Sequence, residues 1–248
     1  MRRAPILMYH WFRPEGVVSA SRSPALEIEP ALFERQIRFL SESGYRAVTL
    51  KEIVSPEKDS ASPGMPVAIT FDDGTLDFWE FAKPVLERYG FTATLFIVAG
   101  FVGKESTWDR HIGEPSRRLM SWEQLLELQH EGFEIGSHTS THRSITELSD
   151  EQVWSELTES RRTIADNIGV APDFLAYPRG RYDAKHKRLA REAGYLGACA
   201  VVLRWRDLLR ADRYEMKRMT IKGTESMLRF RLRLRLGRWI PFAETEPA

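Results

Sequence analysis

Three features of this 248-residue chain predict an α/β fold of repeated strand–helix units around a mainly parallel sheet. Short apolar runs of β-type composition alternate with segments of helical periodicity. The run Val67–Phe71 is apolar on both faces, as in a strand buried inside a parallel sheet. The residues richest in chemistry, His10, Asp72, Asp73, His138 and Tyr177, each follow the end of a predicted strand. In a β/α barrel such ends converge on one face.

Ile6–Tyr9 reads as the first strand. Pro30 suits a first helical turn; Leu32, Phe33, Ile37 and Leu40 follow at helical spacing, and Gly44 closes the helix. Tyr45–Leu50 is the second strand, and Thr49-Leu50-Lys51-Glu52 is a capping box opening a short helix. After the strand Val67–Phe71, Phe78, Phe81, Val85 and Leu86 suggest a helix that Pro84 kinks or delays. Thr92–Val98 is a strand. Ser121–Gln124 caps a helix built on Leu125, Leu126 and Leu128, with Gly132 beyond its end.

Phe133–Ile135 then delivers the segment Gly136-Ser137-His138-Thr139-Ser140-Thr141-His142. Ser149–Gln152 opens a longer helix through Val153, Leu157, Ile164 and Ile168 to Gly169. Phe174–Tyr177 is a strand, Ala184–Ala193 a helix stopped at Gly194, and Tyr195–Val201 a further strand. No internal repeat or low-complexity linker divides the chain. The expected organisation is one domain, with residues 1–225 forming the barrel and a basic C-terminal segment, 226–248, packed on it.

Hydrophobic residues at 42% and charged residues at 29% are ordinary for a globular protein. The single cysteine, Cys199, excludes an intrachain disulfide framework, and its apolar neighbours mark it as a buried structural thiol. No stretch approaches the roughly 20 apolar residues of a membrane span. The apolar run near the N-terminus is too short for a signal-peptide core, so a cytoplasmic location is expected.

Charge is unevenly spread: residues 204–238 hold ten arginines and two lysines against four acids, which leaves the remainder net acidic. Within Met227–Ile240 arginine alternates with apolar residues, a pattern that predicts a strand with one charged face. Wound as a helix it would show arginine around most of its circumference, a composition suited to an anionic membrane surface through residues 226–240. Nucleic acid is not an expected partner, because no recognised module accompanies the charge.

His138 and His142 are four apart, so one helical turn, or a loop of similar pitch, aims both imidazoles the same way. Two imidazoles and one carboxylate suit zinc, with a coordination position left open for water. Asp72 and Asp73 are neighbours whose side chains diverge on an extended chain; a turn at Gly74 would bring one to a metal and leave the other as a general base. Two adjacent carboxylates repel, and a divalent cation would relieve them. The same donor set is the facial triad of non-haem iron oxygenases, but the spare carboxylate favours hydrolysis.

Thr70-Phe71-Asp72-Asp73-Gly74 and Ser137-His138-x-x-x-His142 resemble the first two motifs of the polysaccharide deacetylases, the NodB-homology family of carbohydrate esterases. The resemblance extends over roughly residues 5–200, through Ala93–Phe96, Trp122–Leu125 and Gly132–Gly136. It implies a distorted (β/α)7-type barrel and metal-dependent removal of an N-acetyl group from an amino sugar. The glycan would be a polysaccharide, an oligosaccharide or a lipid-linked intermediate.

By the same resemblance Asp73, His138 and His142 would bind the metal, zinc first with Co2+, Ni2+ or Fe2+ as alternatives, and Asp72 would be the base. Leu7-Met8-Tyr9-His10 resembles the start of a rearranged subgroup that includes the poly-N-acetylglucosamine deacetylases; there His10 would be the general acid. The family's third motif is present as Ala176-Tyr177-Pro178-Arg179-Gly180, with alanine where an arginine would orient the base. Some other cation must then hold Asp72, or its pKa is less tuned. Tyr177, Arg179 and Trp205 are the candidate substrate and oxyanion residues, Trp205 by a loose echo of the fourth motif. The departures leave two alternatives: an amide hydrolase for a formyl-sugar or cyclic amide, and a catalytically impaired sugar-binding barrel.

Overall fold

Parallel pairing of apolar strands organises the chain. The computed structural model describes residues 4–54, 63–201 and 212–237. In chain order the elements are β1 (Ile6–Tyr9), β2 (Trp11–Phe12), β3 (Glu27–Ile28), α1 (Pro30–Glu42), β4 (Tyr45–Ala47), α2 (Leu50–Val54), β5 (Met65–Phe71), α3 (Lys83–Arg88), β6 (Thr94–Ile97), α4 (Trp122–His130), β7 (Glu134–Ser137), α5 (Asp150–Ile168), β8 (Phe174–Ala176), α6 (Ala184–Glu192), β9 (Gly197–Val201), β10 (Met216–Thr220) and α7 (Met227–Gly237). Strands β5 through β10 pair in sequence, and β1 bonds to both β10 and β5, which closes a seven-stranded parallel barrel. β4 lies outside the ring, paired with the first part of β5. The single-domain (β/α)7 expectation is met.

Capping chemistry starts the helices where the sequence places it. Ser121 and Ser149 each form a complete capping box, with Gln124 and Gln152 respectively, and Thr49 and Glu52 do the same for α2. Pro84 is the second residue of α3, where its missing N–H costs nothing. The turn before it, Phe78–Ala82, widens into a π-helical segment.

Two expectations fail. β10 has no counterpart among the predicted strands, and α7 is a helix where alternation predicts a strand. In α7 Phe230 and Leu234, four residues apart, are buried in the main core, so its inward face follows the helical period. Residues 202–211 and 238–248, including Trp205, Trp239 and Ile240, lie outside the described residues.

Strand β7 shows how tightly the barrel wall is packed. A Cβ on Gly136 would stand 2.6 Å from a ring carbon of Phe96 and 3.2 Å from the Phe174 carbonyl oxygen. Gly136→Ala is therefore expected to destabilise the fold by about 1–3 kcal/mol. The check is a lowered urea midpoint at unchanged m value.

Candidate active site

Register brings the site residues together. Tyr9 pairs with Phe71, so His10 and Asp72 leave adjacent strand ends side by side, and the Asp72 N–H donates to the Tyr9 carbonyl at 3.1 Å. Ser137 pairs with Ile97, and the His138 N–H donates to the Ile97 carbonyl at 2.8 Å. The resulting cavity of about 160 Å³ is lined by His10, Trp11, Asp72, Asp73, His138 and His142, among others.

Backbone conformation does the aiming. All four described non-glycine residues with positive φ belong to this region: Asp73 (74°), Thr139 (67°), His142 (62°) and Arg179 (57°). Such conformations cost on the order of 1–3 kcal/mol each and concentrate at functional sites. The turn that swings one carboxylate beside the other thus begins at Asp73 itself and continues through Gly74 (φ 74°). His138 and His142 are brought together by a loop bent at Thr139 rather than by a helical turn, with ring centroids 4.8 Å apart. Glu156 of α5 clamps that loop: its carboxylate accepts from the Ser140 N–H (2.9 Å), the Thr141 N–H (2.8 Å) and the Thr141 hydroxyl.

Asp73, His138 and His142 each offer one donor atom to a cluster in which all three lie within 4.8 Å of one another. Asp73 Oδ1 is 3.5 Å from His142 Nε2 and 3.8 Å from His138 Nε2. Asp73 Oδ2 is already engaged, accepting from the Trp11 indole N–H at 2.8 Å. Oδ1 is buried without a hydrogen-bond partner. Trp11 is itself held by the Arg117 guanidinium, 3.7 Å from its ring centroid, and Arg117 pairs with Glu27 and Glu114. His138 Nδ1 donates to the Ala176 carbonyl oxygen at 2.7 Å, which fixes the ring with Nε2 facing Asp73. Burial, reinforced by His138, holds the His142 pKa well below the ordinary imidazole value, so its ring is a neutral donor. Burial pushes the Asp73 carboxyl up, although His10 and His138 oppose it.

Asp72 has a different partner. Both its oxygens accept from Arg218 of β10, Oδ1 from Nη1 at 2.5 Å and Oδ2 from Nη2 at 2.7 Å. Arg218 is 1% exposed, lies 5.1 Å from the Phe96 ring centroid and also donates to Thr70 Oγ1. Burial alone would raise the Asp72 pKa. The Arg218 charge, with His138 and the guanidinium hydrogen bonds, outweighs it and holds the carboxyl well below the usual range. This is the cation that the alanine at 176 leaves wanting. His10 Nε2 stands 3.9 Å from Asp72 Oδ2, and burial lowers its pKa although Asp72 and Asp73 pull the other way.

Two of the remaining candidates, Tyr177 and Arg179, also border the cavity. The Tyr177 ring is buried, stacks on Tyr182, and donates its hydroxyl to the Tyr214 carbonyl at 3.0 Å. Arg179 lines the cavity and pairs with Asp109. A second cleft of about 340 Å³ adjoins the first through His142 and Arg179, and its wall includes Trp108, Arg143 and Arg181. His186, unassigned by any motif, caps α6 with Asp183. Sequence reasoning did not find Arg218, Trp11 or Glu156. For Arg218 a signal existed, since a buried carboxylate lacking its motif arginine requires a cation from elsewhere.

Residues 59–198 match the family model described as polysaccharide deacetylase. A Bacillus subtilis protein assigned to the polysaccharide deacetylases, YxkH, is 31% identical over 194 residues, covering 78% of this chain and 62% of its own. The poly-beta-1,6-N-acetyl-D-glucosamine N-deacetylase of Staphylococcus aureus is 26% identical over 176 residues, or 67% of this chain and 58% of that one. The chain therefore spans about 60% of the length of these relatives. Among solved structures, the Streptococcus pyogenes deacetylase PplD in complex with acetate has the same fold, with TM-score 0.72 at 21% identity over 92% of this chain and 96% of that one. The Aggregatibacter actinomycetemcomitans de-N-acetylase superposes with TM-score 0.73 at 18% identity over 92% and 98%. A match over more than half of the sequence, on a closed β/α barrel whose strand ends gather both family motifs, places this chain in the polysaccharide deacetylase family.

Proposed function

We propose that this protein is a divalent-metal-dependent hydrolase that removes N-acetyl groups from amino sugars of a glycan. One observation carries the proposal: two adjacent carboxylates sit in opposite electrostatic settings. Asp72 is neutralised by Arg218, while Asp73 turns an unpartnered buried oxygen toward two imidazoles. An orphaned carboxylate oxygen in a protein interior is costly unless a cation satisfies it. Asp73 Oδ1 and the ring nitrogens of His138 and His142 fit that requirement, and the donor set is one that zinc favours. A bound divalent ion would lower the pKa of water and polarise an acyl oxygen.

The chain's own residues divide the remaining work. Asp72, ionised by Arg218, takes a proton from the attacking water. His10 enters the reaction neutral, with Nε2 within 4 Å of Asp72 Oδ2, placed to relay a proton to the departing nitrogen. Water adds to the acyl carbon, the C–N bond breaks, and acetate and a free amine result. Trp11 and Glu156 hold Asp73 and the histidine loop in position. The adjoining cleft, with Trp108 at its edge 4.9 Å from the His142 ring, extends the site beyond one sugar and favours a polymer or oligosaccharide. The Arg218–Asp72 pair supports an active hydrolase over an impaired, binding-only barrel, because it gives the carboxylate a cation despite the alanine at position 176.

The test is metal content measured together with acetate release from β-1,6- and β-1,4-linked N-acetylglucosamine oligomers. About one divalent ion per chain is expected, with chelation removing ion and activity together. A chain that binds no divalent ion and releases no acetate from either series would overturn the reading. Glu156→Ala should weaken metal affinity about 10–100-fold by freeing the His142 loop, with competition against a chelator as the measure.

A further inference from the structure

Helix α7 presents two faces of different kind. Phe230 and Leu234 turn into the core, Phe230 against Phe39 of α1 at 6.3 Å between ring centroids, and Arg233 turns back to Glu225 at 2.9 Å. On the roughly opposite face, at 100° per residue, stand Leu228 and Leu232. They are 69% and 51% exposed, among the most exposed large apolar side chains described. Arg229, Arg231 and Arg235 flank them, all exposed. Arg229 is 3.7 Å from Glu225 and Arg231 lies over the Phe39 ring.

We propose that this outer face of α7 seats on an anionic lipid surface. The two leucines would enter the headgroup–acyl boundary, and the three arginines would meet the acidic headgroups. The argument is charge complementarity joined to apolar exposure at the centre of the face. Leucine favours the helix in any setting, but the apolar area that two of them expose at the centre of this face would be left unused by an anionic polymer, which the arginines alone would meet. A second copy of the chain fits poorly: two such faces would oppose like charges, and a helix of 11 residues, about 16 Å long, offers less than the ~800 Å² per partner of a standard interface. No described helix is long and apolar enough to cross a membrane. This inference does not depend on the chemistry proposed above.

The experiment is flotation of the full chain with phosphatidylcholine vesicles, with and without phosphatidylglycerol. Point substitutions are required, since truncation at residue 225 would also remove Phe230 and Leu234 from the core. Binding is expected only with phosphatidylglycerol. Arg229→Gln/Arg231→Gln/Arg235→Gln should weaken it about 100-fold, roughly fivefold per arginine. Leu228→Ser/Leu232→Ser should weaken it at least about tenfold. Both variants should stay folded, with the parent's circular dichroism spectrum at the assay temperature. The proposal is overturned if phosphatidylglycerol confers no binding. It is equally overturned if the leucine variant floats like the parent while both bind dextran sulfate, which would mark a charge-only surface. Conversion of a dimer to a monomer by the leucine substitutions would assign the face to self-association instead.

Discussion

Asp72→Asn should lower acetate release about 10³-fold, within the range for loss of a positioned general base, with metal content and KM close to the parent. Asparagine keeps the shape of the side chain and one acceptor for Arg218, but it cannot take a proton. The ligand set proposed for the metal, Asp73, His138 and His142, is untouched. The substitution also removes the charge that compensates a guanidinium 1% exposed. Breaking a buried ion pair from one side costs about 3–5 kcal/mol, so the melting temperature should fall as well. Assays must therefore run below the variant's own transition, with circular dichroism confirming a folded chain. A folded, metal-loaded Asp72→Asn protein that turns over at the parent rate would remove Asp72 from the mechanism.

The features legible in the sequence are those written in contiguous residues at strand ends. Val67–Phe71 and its two acids, and Phe133–Ser137 with its histidines, combine a local strand signal with a local chemical one. Barrel closure then brings them together without further instruction. Arg218 is different. Met216-Lys217-Arg218-Met219-Thr220 carries two charges in five residues and no β-branched residue before Thr220, so no strand is read there. Its burial rests on a partner 146 residues away, a pairing that no local periodicity encodes. The barrel nonetheless needs this strand between β9 and β1 to close. Alternation misled at α7 because arginine and leucine are both good helix formers, and Phe230 and Leu234 fall on one face at either period. Without valine, isoleucine or threonine in Met227–Leu236, composition already opposed the strand. Trp11 was overlooked because its role is a single hydrogen bond to Asp73, with no pattern around it.

Arg218→Met should move the acidic limb of the kcat/KM profile upward by about 1–3 pH units, the range by which a neighbouring arginine depresses an aspartate. The direction follows from what surrounds Asp72. Burial raises its pKa, and Arg218, together with His138 and His10, more than reverses the effect. Without the guanidinium, burial is opposed only by the neighbouring imidazoles, and the base stays protonated, hence inactive, to a higher pH. The same linkage governs stability. A carboxylate whose folded-state pKa is depressed contributes stability above its unfolded value near 3.8, and that contribution is lost as pH falls through the folded value. In Arg218→Met the contribution disappears, so the parent's stability advantage should be present in full above about pH 4 and shrink as pH falls below it. Arg218→Lys separates charge from geometry. A lysine restores a positive charge but not the paired guanidinium contact, so its limb should fall between parent and Arg218→Met. If Arg218 merely filled space in the barrel, methionine would change stability while leaving the limb where it was. That result would leave Asp72 without the electrostatic partner on which its proposed role as base depends.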